Sequence, residues 1–249
     1  MQRPPESSQR LPGGGGAFLT THWSVILAAN EQDPLRASGA LERLCRTYWT
    51  PLYAYIRRDG CQKADAEDLT QQFFAWLMES KHLHVADPQQ GKFRSFLLVR
   101  LKHFLSDERK KARAQKRGGG QPVLPLDSEL AEEHYLLEAA TLATPEVAFD
   151  RHWALTVMEQ TRHRLRTEYA NAGRTELYEE IKHFQPGEED GRPYAEVALR
   201  LGITESALKS AIHRFRQRHR DLLRGEIAET VATPAEVDQE IRYLITVMA

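Results

Sequence analysis

Residues 92–117 carry side chains that could bind a polyanion. The stretch KFRSFLLVRLKHFLSDERKKARAQKR holds ten Lys and Arg residues against two acidic ones. Two sets of residues carry this chemistry: basic Lys102, Arg109, Arg113 and Lys116 on one helical stripe, and aromatic Phe93, Phe96 and Phe104 close by. Cations beside aromatic rings neutralise phosphates and stack bases, which is the chemistry that binds single-stranded nucleic acid. The competing interpretation is a solvated basic helix end, because phenylalanines at helical spacing usually belong to a core.

A second basic segment, residues 194–220, has the pattern of a helix-turn-helix. Its sequence YAEVALRLGITESALKSAIHRFRQRHR places Gly202 at a tight turn and Thr204 at the start of a longer second helix. Five apolar residues suit the core positions that would fix the two helices at a steep angle: Ala198, Leu201, Ile203, Leu208 and Ile212. The outer face of the second helix then presents groups able to contact bases or phosphates: Glu205, Ser206, Lys209, Ser210, His213, Arg214, Arg216 and Arg218. This pattern favours DNA binding over a helical hairpin that merely exposes a basic face.

Charge is strongly segregated, although the formal net charge of the 249-residue chain is only −1. Residues 200–224 hold seven Lys and Arg against two acids, whereas residues 127–146 hold six acids and neither Lys nor Arg. Such asymmetry is a better guide to partners than the total charge. No apolar run is long enough to span a membrane, and the polar start of the chain lacks a signal-peptide core. The two cysteines, Cys45 and Cys61, have no CxxC spacing, and we expect free thiols in a reducing cytoplasm.

Helical periodicity dominates the chain and β-strand signals are almost absent, which predicts an all-α protein. Helices are expected to begin near Asp65 as an N-cap, near Lys92, at Pro145 and at Pro234. The core side of the helix from Lys92 would consist of Phe93, Leu97, Leu101, Phe104 and Leu105. We predict two small helical domains joined by a flexible acidic linker, the second containing the helix-turn-helix. The predicted order is a disordered tail (1–17), a helical domain (18–117), a linker (118–146), a second helical domain (147–225) with the helix-turn-helix at 194–220, and a C-terminal helical extension (226–249).

Signatures of catalysis are missing from the sequence. It contains no P-loop, no GxSxG motif and no HExxH motif, so we predict neither catalytic residues, nor a cofactor, nor a metal site. The acidic trio Asp65, Glu67 and Asp68 suits the first turn of a helix, where carboxylates complement the positive end of the helix dipole. A nucleic-acid enzyme that holds a metal ion with this trio is an alternative. The pair His82 and His84 is only weak evidence for a metal site.

Three segments occur in an order that resembles the bacterial RNA polymerase sigma-70 family. They are DAEDLTQQFFAWL (65–77), DPQQGKFRSFLLVRLKHFLSDERKK (87–111) and the helix-turn-helix at 194–220. The segments look most like those of the small two-domain extracytoplasmic-function (ECF) sigma factors. The resemblance implies a cytoplasmic protein that binds core RNA polymerase, recognises the −10 and −35 promoter elements and promotes DNA melting for transcription initiation.

The resemblance also implies a role for each group of residues. Docking on the clamp helices of the polymerase largest subunit would involve Asp68, Gln71 and Gln72. Recognition and melting of the −10 element would involve Phe96, Arg100, Lys102, His103, Arg109, Lys110 and Arg113. The outer face of the helix-turn-helix would read the −35 element in the major groove. The flap of the second-largest subunit and a regulator such as an anti-sigma factor are further implied partners.

Some features depart from the family pattern. The segment 171–193 before the helix-turn-helix is extended, Ala211 stands where an Arg is common, and the helix at 234–248 runs past the usual end. That last helix could brace its own domain or provide a regulatory contact. The main alternative function is a polymerase-independent helix-turn-helix transcriptional regulator, which would dimerise and would not need the DAEDLTQ surface.

Overall fold

The computed structural model describes residues 34–79, 92–114, 132, 144–184, 191–228, 230–231 and 233–248. In these residues the chain forms α-helices and one short 3-10 helix and no strand, which confirms the predicted all-α class. The elements are α1 (Pro34–Arg58), α2 (Lys63–Met78), α3 (Phe93–Ala114), α4 (Pro145–Asn171), α5 (Thr175–Ile181), the 3-10 helix Lys182–Phe184, α6 (Tyr194–Arg200), α7 (Glu205–Ala228) and α8 (Pro234–Met248). None of these helices is long and apolar enough to cross a membrane.

The helix starts follow local capping chemistry. Thr144 caps α4, because its side-chain oxygen accepts a hydrogen bond from the Val147 N–H at 3.4 Å, and Pro145 occupies the first turn. The prediction of Asp65 as the N-cap of α2 is wrong, since that helix begins at Lys63 and Gln62 is its N-cap. Asp65 instead lies in the first turn, where its negative charge still faces the positive end of the helix dipole.

The first hydrophobic core is built mainly by α1, α2 and α3. Aromatic rings pack edge to face at its centre, with centroid distances of 5.3 Å for Tyr48 and Phe93 and 5.6 Å for Phe73 and Phe104. The predicted core side of α3 is confirmed, because all its members are buried: Phe93, Leu97, Leu101, Phe104 and Leu105. The same core also takes in residues from the other end of the chain: Phe149, Trp153, Ala154, Val157, Ile227, Val231, Val237 and Leu244.

The second core lies between the C-terminal part of α4 and helices α5, α6 and α7. Phe215 is fully buried at its centre, and the rings of Tyr169 and Tyr178 lie 5.9 and 6.0 Å from it. Helix α4 contributes to both cores, with Trp153 in the first and Leu165 in the second. The two predicted domains, 18–117 and 147–225, therefore share a hydrophobic core in this structure, and the flexibility of the link between them stays a prediction.

Several predicted features lie outside the described residues. They are the tail 1–17, the residues His82 and His84, and most of the linker 118–146. The side chain of Arg113 is likewise not described. Cys45 and Cys61 are both free thiols, as predicted, and burial raises the pKa of the Cys45 thiol to about 11.

Candidate nucleic-acid interface

The turn between α6 and α7 has the hydrogen bonds of a Schellman motif. The Gly202 N–H donates to the Leu199 carbonyl at 3.1 Å, and the Ile203 N–H donates to the Ala198 carbonyl at 3.0 Å. Gly202 has a φ of +64°, a left-handed conformation that side chains with a β-carbon rarely adopt. Thr204 then caps α7, since its hydroxyl oxygen accepts a hydrogen bond from the Ala207 N–H at 3.2 Å. A short helix, a tight glycine turn and a longer capped helix follow one another at 194–228.

Most of the predicted packing positions in this motif are confirmed. Ala198, Leu208 and Ile212 are buried, and Leu201 is half-buried. The prediction that Ile203 belongs to the core is wrong, because it lies in the turn beyond the end of α6 and is 37% exposed. Ala211, at the position where the resemblance suggests an Arg, is buried.

The outer face of α7 gathers six of its eight predicted DNA-contacting residues. All six are exposed: Glu205, Ser206, Lys209, Ser210, His213 and Arg214. The other two bind their own domain. Arg216 donates to the Phe184 carbonyl at 2.7 Å, and Arg218 donates to both carboxylate oxygens of Glu168 at 2.7 and 2.8 Å. These two contacts connect α7 with the 3-10 helix and with α4.

A second stripe, which is partly exposed, runs along α3. Phe96, Arg100 and His103 follow at intervals of four and three residues, so they share one side of the helix. The Arg100 guanidinium lies 5.3 Å from the centroid of the half-buried Phe96 ring, and His103 is exposed. We call Phe96, Arg100 and His103 the α3 stripe. It combines an aromatic face with a cation and with an exposed imidazole.

Other predicted basic residues of α3 are paired with carboxylates. Lys102 lies 2.8 Å from Glu146, Lys110 lies 3.0 Å from Asp107, and Arg109 donates to Asp59. The hydrogen bond from Lys102 lowers the pKa of Glu146. These cations are all exposed, and surface ion pairs contribute little net free energy. A phosphate group could therefore replace each carboxylate at small cost.

The predicted polymerase-docking residues lie on α2. Asp68 and Gln72 are exposed one helical turn apart, and both line a shallow groove of about 330 Å³ between α2 and α3. Leu69 and Leu105 supply apolar parts of the same groove. Gln71 is half-buried on α2. The groove thus combines apolar surface with polar groups, as protein-binding surfaces commonly do.

A buried ionic cluster was not predicted from the sequence. Arg94 of α3 is 6% exposed and donates to two carboxylates, those of Asp150 in α4 and Glu240 in α8. Glu240 is fully buried and also forms an ion pair with Lys92, while Tyr243 donates its hydroxyl to Asp150. The cluster contains two cations and two anions, so its formal charges balance.

The charges in this cluster stabilise one another against burial. Burial favours neutral Arg94, but the hydrogen bonds and charges of Glu240 and Asp150 outweigh it and raise the guanidinium pKa. Burial also favours the protonated form of Glu240. The hydrogen bonds and positive charges of Arg94 and Lys92 outweigh this effect and lower the carboxyl pKa. The sequence does contain a signal, because Arg94 and Glu240 both fall on the apolar side of a helical pattern.

One residue of the predicted acidic linker is in contact with α1. Glu132 accepts hydrogen bonds from Arg57 at 2.9 and 3.0 Å and from the Tyr53 hydroxyl.

As for the trio Asp65, Glu67 and Asp68, the described residues contain no group of three or more His, Cys, Asp or Glu side chains that could hold a metal ion.

Comparisons with protein-family models, with characterised proteins and with solved structures gave no match for this chain. Any proposal for its function therefore depends on the residues and the geometry described above.

Proposed function

We propose that this chain is an ECF-like sigma factor of bacterial RNA polymerase. It binds core polymerase, recognises the −10 and −35 promoter elements and promotes DNA melting for transcription initiation. The observation that carries the proposal is that one chain presents two faces of different chemistry, and the side chains of each suit a nucleic acid. One is the polar outer face of a helix-turn-helix, and the other is the aromatic and basic α3 stripe.

The outer face of α7 suits duplex DNA. An α-helix fits the major groove, where Lys and Arg side chains donate to guanine acceptors and Ser can contact several bases. Lys209, His213 and Arg214 are exposed on this face at intervals of four residues and one residue. In the proposed function this helix reads the −35 element, and Arg220 and other basic residues further along α7 meet phosphates.

The α3 stripe suits an unpaired strand. Taking a base out of the duplex costs a few kcal/mol, and stacking on an aromatic ring returns part of that free energy. Phe96 supplies the ring, and Arg100 beside it supplies a cation for the adjoining phosphate. Lys102, Arg109 and Lys110 then exchange their present carboxylate partners for the phosphates of the −10 element.

The remaining partners are proteins. We propose that the groove lined by Asp68 and Gln72 docks on the clamp helices of the largest polymerase subunit, with Gln71 supporting it from the same helix. The second domain would reach the flap of the second-largest subunit, and a regulator such as an anti-sigma factor would bind in the cytoplasm. The chain contributes binding free energy, and the polymerase carries out the chemistry.

Removing the polar groups of the groove should weaken polymerase binding. The double variant Asp68→Ala with Gln72→Ala is expected to lower affinity for core polymerase roughly tenfold, because it removes two polar contacts at the centre of the interface. Affinity is measured by fluorescence anisotropy of the labelled full chain titrated with core enzyme.

The chain offers a matched control for this experiment. Gln217 and Asp221 are also an exposed Gln and Asp four residues apart, and they bind each other at 2.9 Å on α7. The double variant Gln217→Ala with Asp221→Ala should keep core affinity within about twofold of wild type. Equal affinity of the two double variants for core polymerase would exclude the groove as the docking site.

A further inference from the structure

We propose that α8 and a nucleic-acid strand compete for the N-terminal end of α3. With α8 docked, the chain is closed, and strand binding to α3 releases α8. The inference rests on the proposed function in one respect, namely that α3 binds a nucleic-acid strand.

Lys92 lies just before α3 and is paired with α8. It lies four residues before Phe96, so it extends the α3 stripe by one turn toward the N-terminus. In the closed chain Lys92 is paired with Glu240 of α8, and its ammonium group lies 5.7 Å from the Tyr243 ring centroid of the same helix. A carboxylate of α8 therefore occupies the place where a phosphate would meet the first cation of the stripe.

Other anion-binding groups at this end of α3 are also occupied. Arg94 is enclosed by Glu240 and Asp150, and its guanidinium lies 4.6 Å from the Tyr243 ring centroid. The Phe93 N–H, at the first residue of α3, donates to the Thr230 carbonyl at 3.1 Å, in the segment that leads into α8. Free N–H groups at a helix start favour anions, and here the C-terminal segment satisfies one of them.

The ionic part of the contact contributes little net free energy to the docking of α8. Buried ions lose their hydration, so the attraction within a buried ionic cluster is largely offset by the cost of desolvation. When α8 leaves its site, Lys92, Arg94 and Glu240 become hydrated again. The free energy required to release α8 is therefore smaller than the number of contacts suggests. The apolar part of α8 that packs on the first core consists of the buried Val237 and Leu244 and the half-buried Ile241, Val247 and Met248.

Release of α8 is reversible, because the helix stays tethered to α7. Only residues 229–233 separate α8 from α7, so a released α8 remains at high effective concentration beside its site. The competition is reciprocal. Docking of α8 weakens strand binding by a certain free energy, and strand binding weakens the docking of α8 by the same free energy. The closed chain therefore binds single strands more weakly than a chain in which α8 docks less firmly.

The direct test uses hydrogen–deuterium exchange of the full wild-type chain with and without a saturating single-stranded oligodeoxythymidylate. We expect the oligonucleotide to slow exchange over 93–103 and to accelerate it over 234–248. Binding of the oligonucleotide with unchanged protection of 234–248 would overturn the inference, and so would the absence of any binding.

A pair of variants measures the competition as an affinity. Glu240→Gln removes the buried charge with little change of shape and is expected to tighten oligodeoxythymidylate binding roughly tenfold. Asp238→Asn is the matched control, because it removes a carboxylate of the same helix that pairs with Arg224 at the surface. This control should change the affinity by less than about twofold. Equal affinities of the two variants would overturn the inference, whereas competition without promoter-directed transcription would overturn only the proposed function.

Discussion

The substitution Trp153→Ala is expected to lower the free energy of unfolding by about 3–5 kcal/mol, the usual range for removing a large buried aromatic side chain. Trp153 is fully buried in α4 and belongs to the core shared with α1, α2 and α3. Its ring also lies 5.6 Å from the Arg94 guanidinium. The substitution therefore opens a cavity and removes a cation–π contact at the point where the C-terminal half packs on the N-terminal half.

The measurement is chemical denaturation followed by circular dichroism. Trp76→Ala is the control, because Trp76 is half-buried at the edge of the same core, packed against Phe73 and Phe104. Its loss should cost only about 1–2 kcal/mol, in proportion to the smaller apolar area that it removes from water. Equal losses in the two variants, or a loss below about 1 kcal/mol for Trp153→Ala, would contradict a core shared between the two halves.

The substitution Arg214→Ala is expected to weaken binding to a preferred duplex site by about 1–3 kcal/mol, a loss of roughly fivefold to 150-fold. Arg214 is exposed on the outer face of α7, where a guanidinium can donate two hydrogen bonds to a guanine. Preferred sites are first selected by the wild-type chain from a duplex library of random sequence. Affinities for a selected site and for an unrelated duplex are then measured at one salt concentration.

Arg218→Ala is the matched control for this prediction. The residue type is the same and lies one helical turn further along α7, but its guanidinium is held by both oxygens of Glu168. We expect the control to change affinity for the selected site by less than about threefold. A loss at Arg214 that is equal for selected and unrelated duplexes would assign it to phosphate contact, without a part in reading sequence.

Local patterns in the sequence predicted much of the fold. Helical spacing identified the buried side of α3 from Phe93 to Leu105, and the pair Thr144 and Pro145 marked the start of α4. The motif around Gly202 was also predictable, because a positive φ at the end of a helix favours glycine. Each of these features is determined by residues within a few positions of one another.

Contacts between distant residues could not be predicted in the same way. The helical pattern places Arg94 on an apolar side, but its partners Asp150 and Glu240 lie 56 and 146 residues further along the chain. The local pattern places Arg218 among the DNA-binding charges, but it does not show that Glu168, 50 residues earlier in the sequence, binds its guanidinium. A local count of basic residues therefore does not show which of them are paired within the protein.

The packing partner of the C-terminal helix could not be predicted from the local sequence either. The helical spacing of Val237, Ile241 and Leu244 predicted that one side of this helix would be buried, but it did not identify the partner. In the structure α8 packs on α4 and α7 and contributes to the first core. Its contacts with Lys92 and Arg94 thus connect the end of the chain to the helix proposed to bind the −10 strand.

The measurement that tests the central proposal most directly is run-off transcription with purified bacterial core polymerase and this chain. The templates carry a promoter built around the selected duplex site, once fully paired and once with an unpaired −10 region. A sigma factor should give promoter-dependent transcripts from both templates, and core polymerase alone should give none. Tight binding to the paired promoter without promoter-dependent RNA from either template would contradict the proposal and favour a polymerase-independent helix-turn-helix regulator.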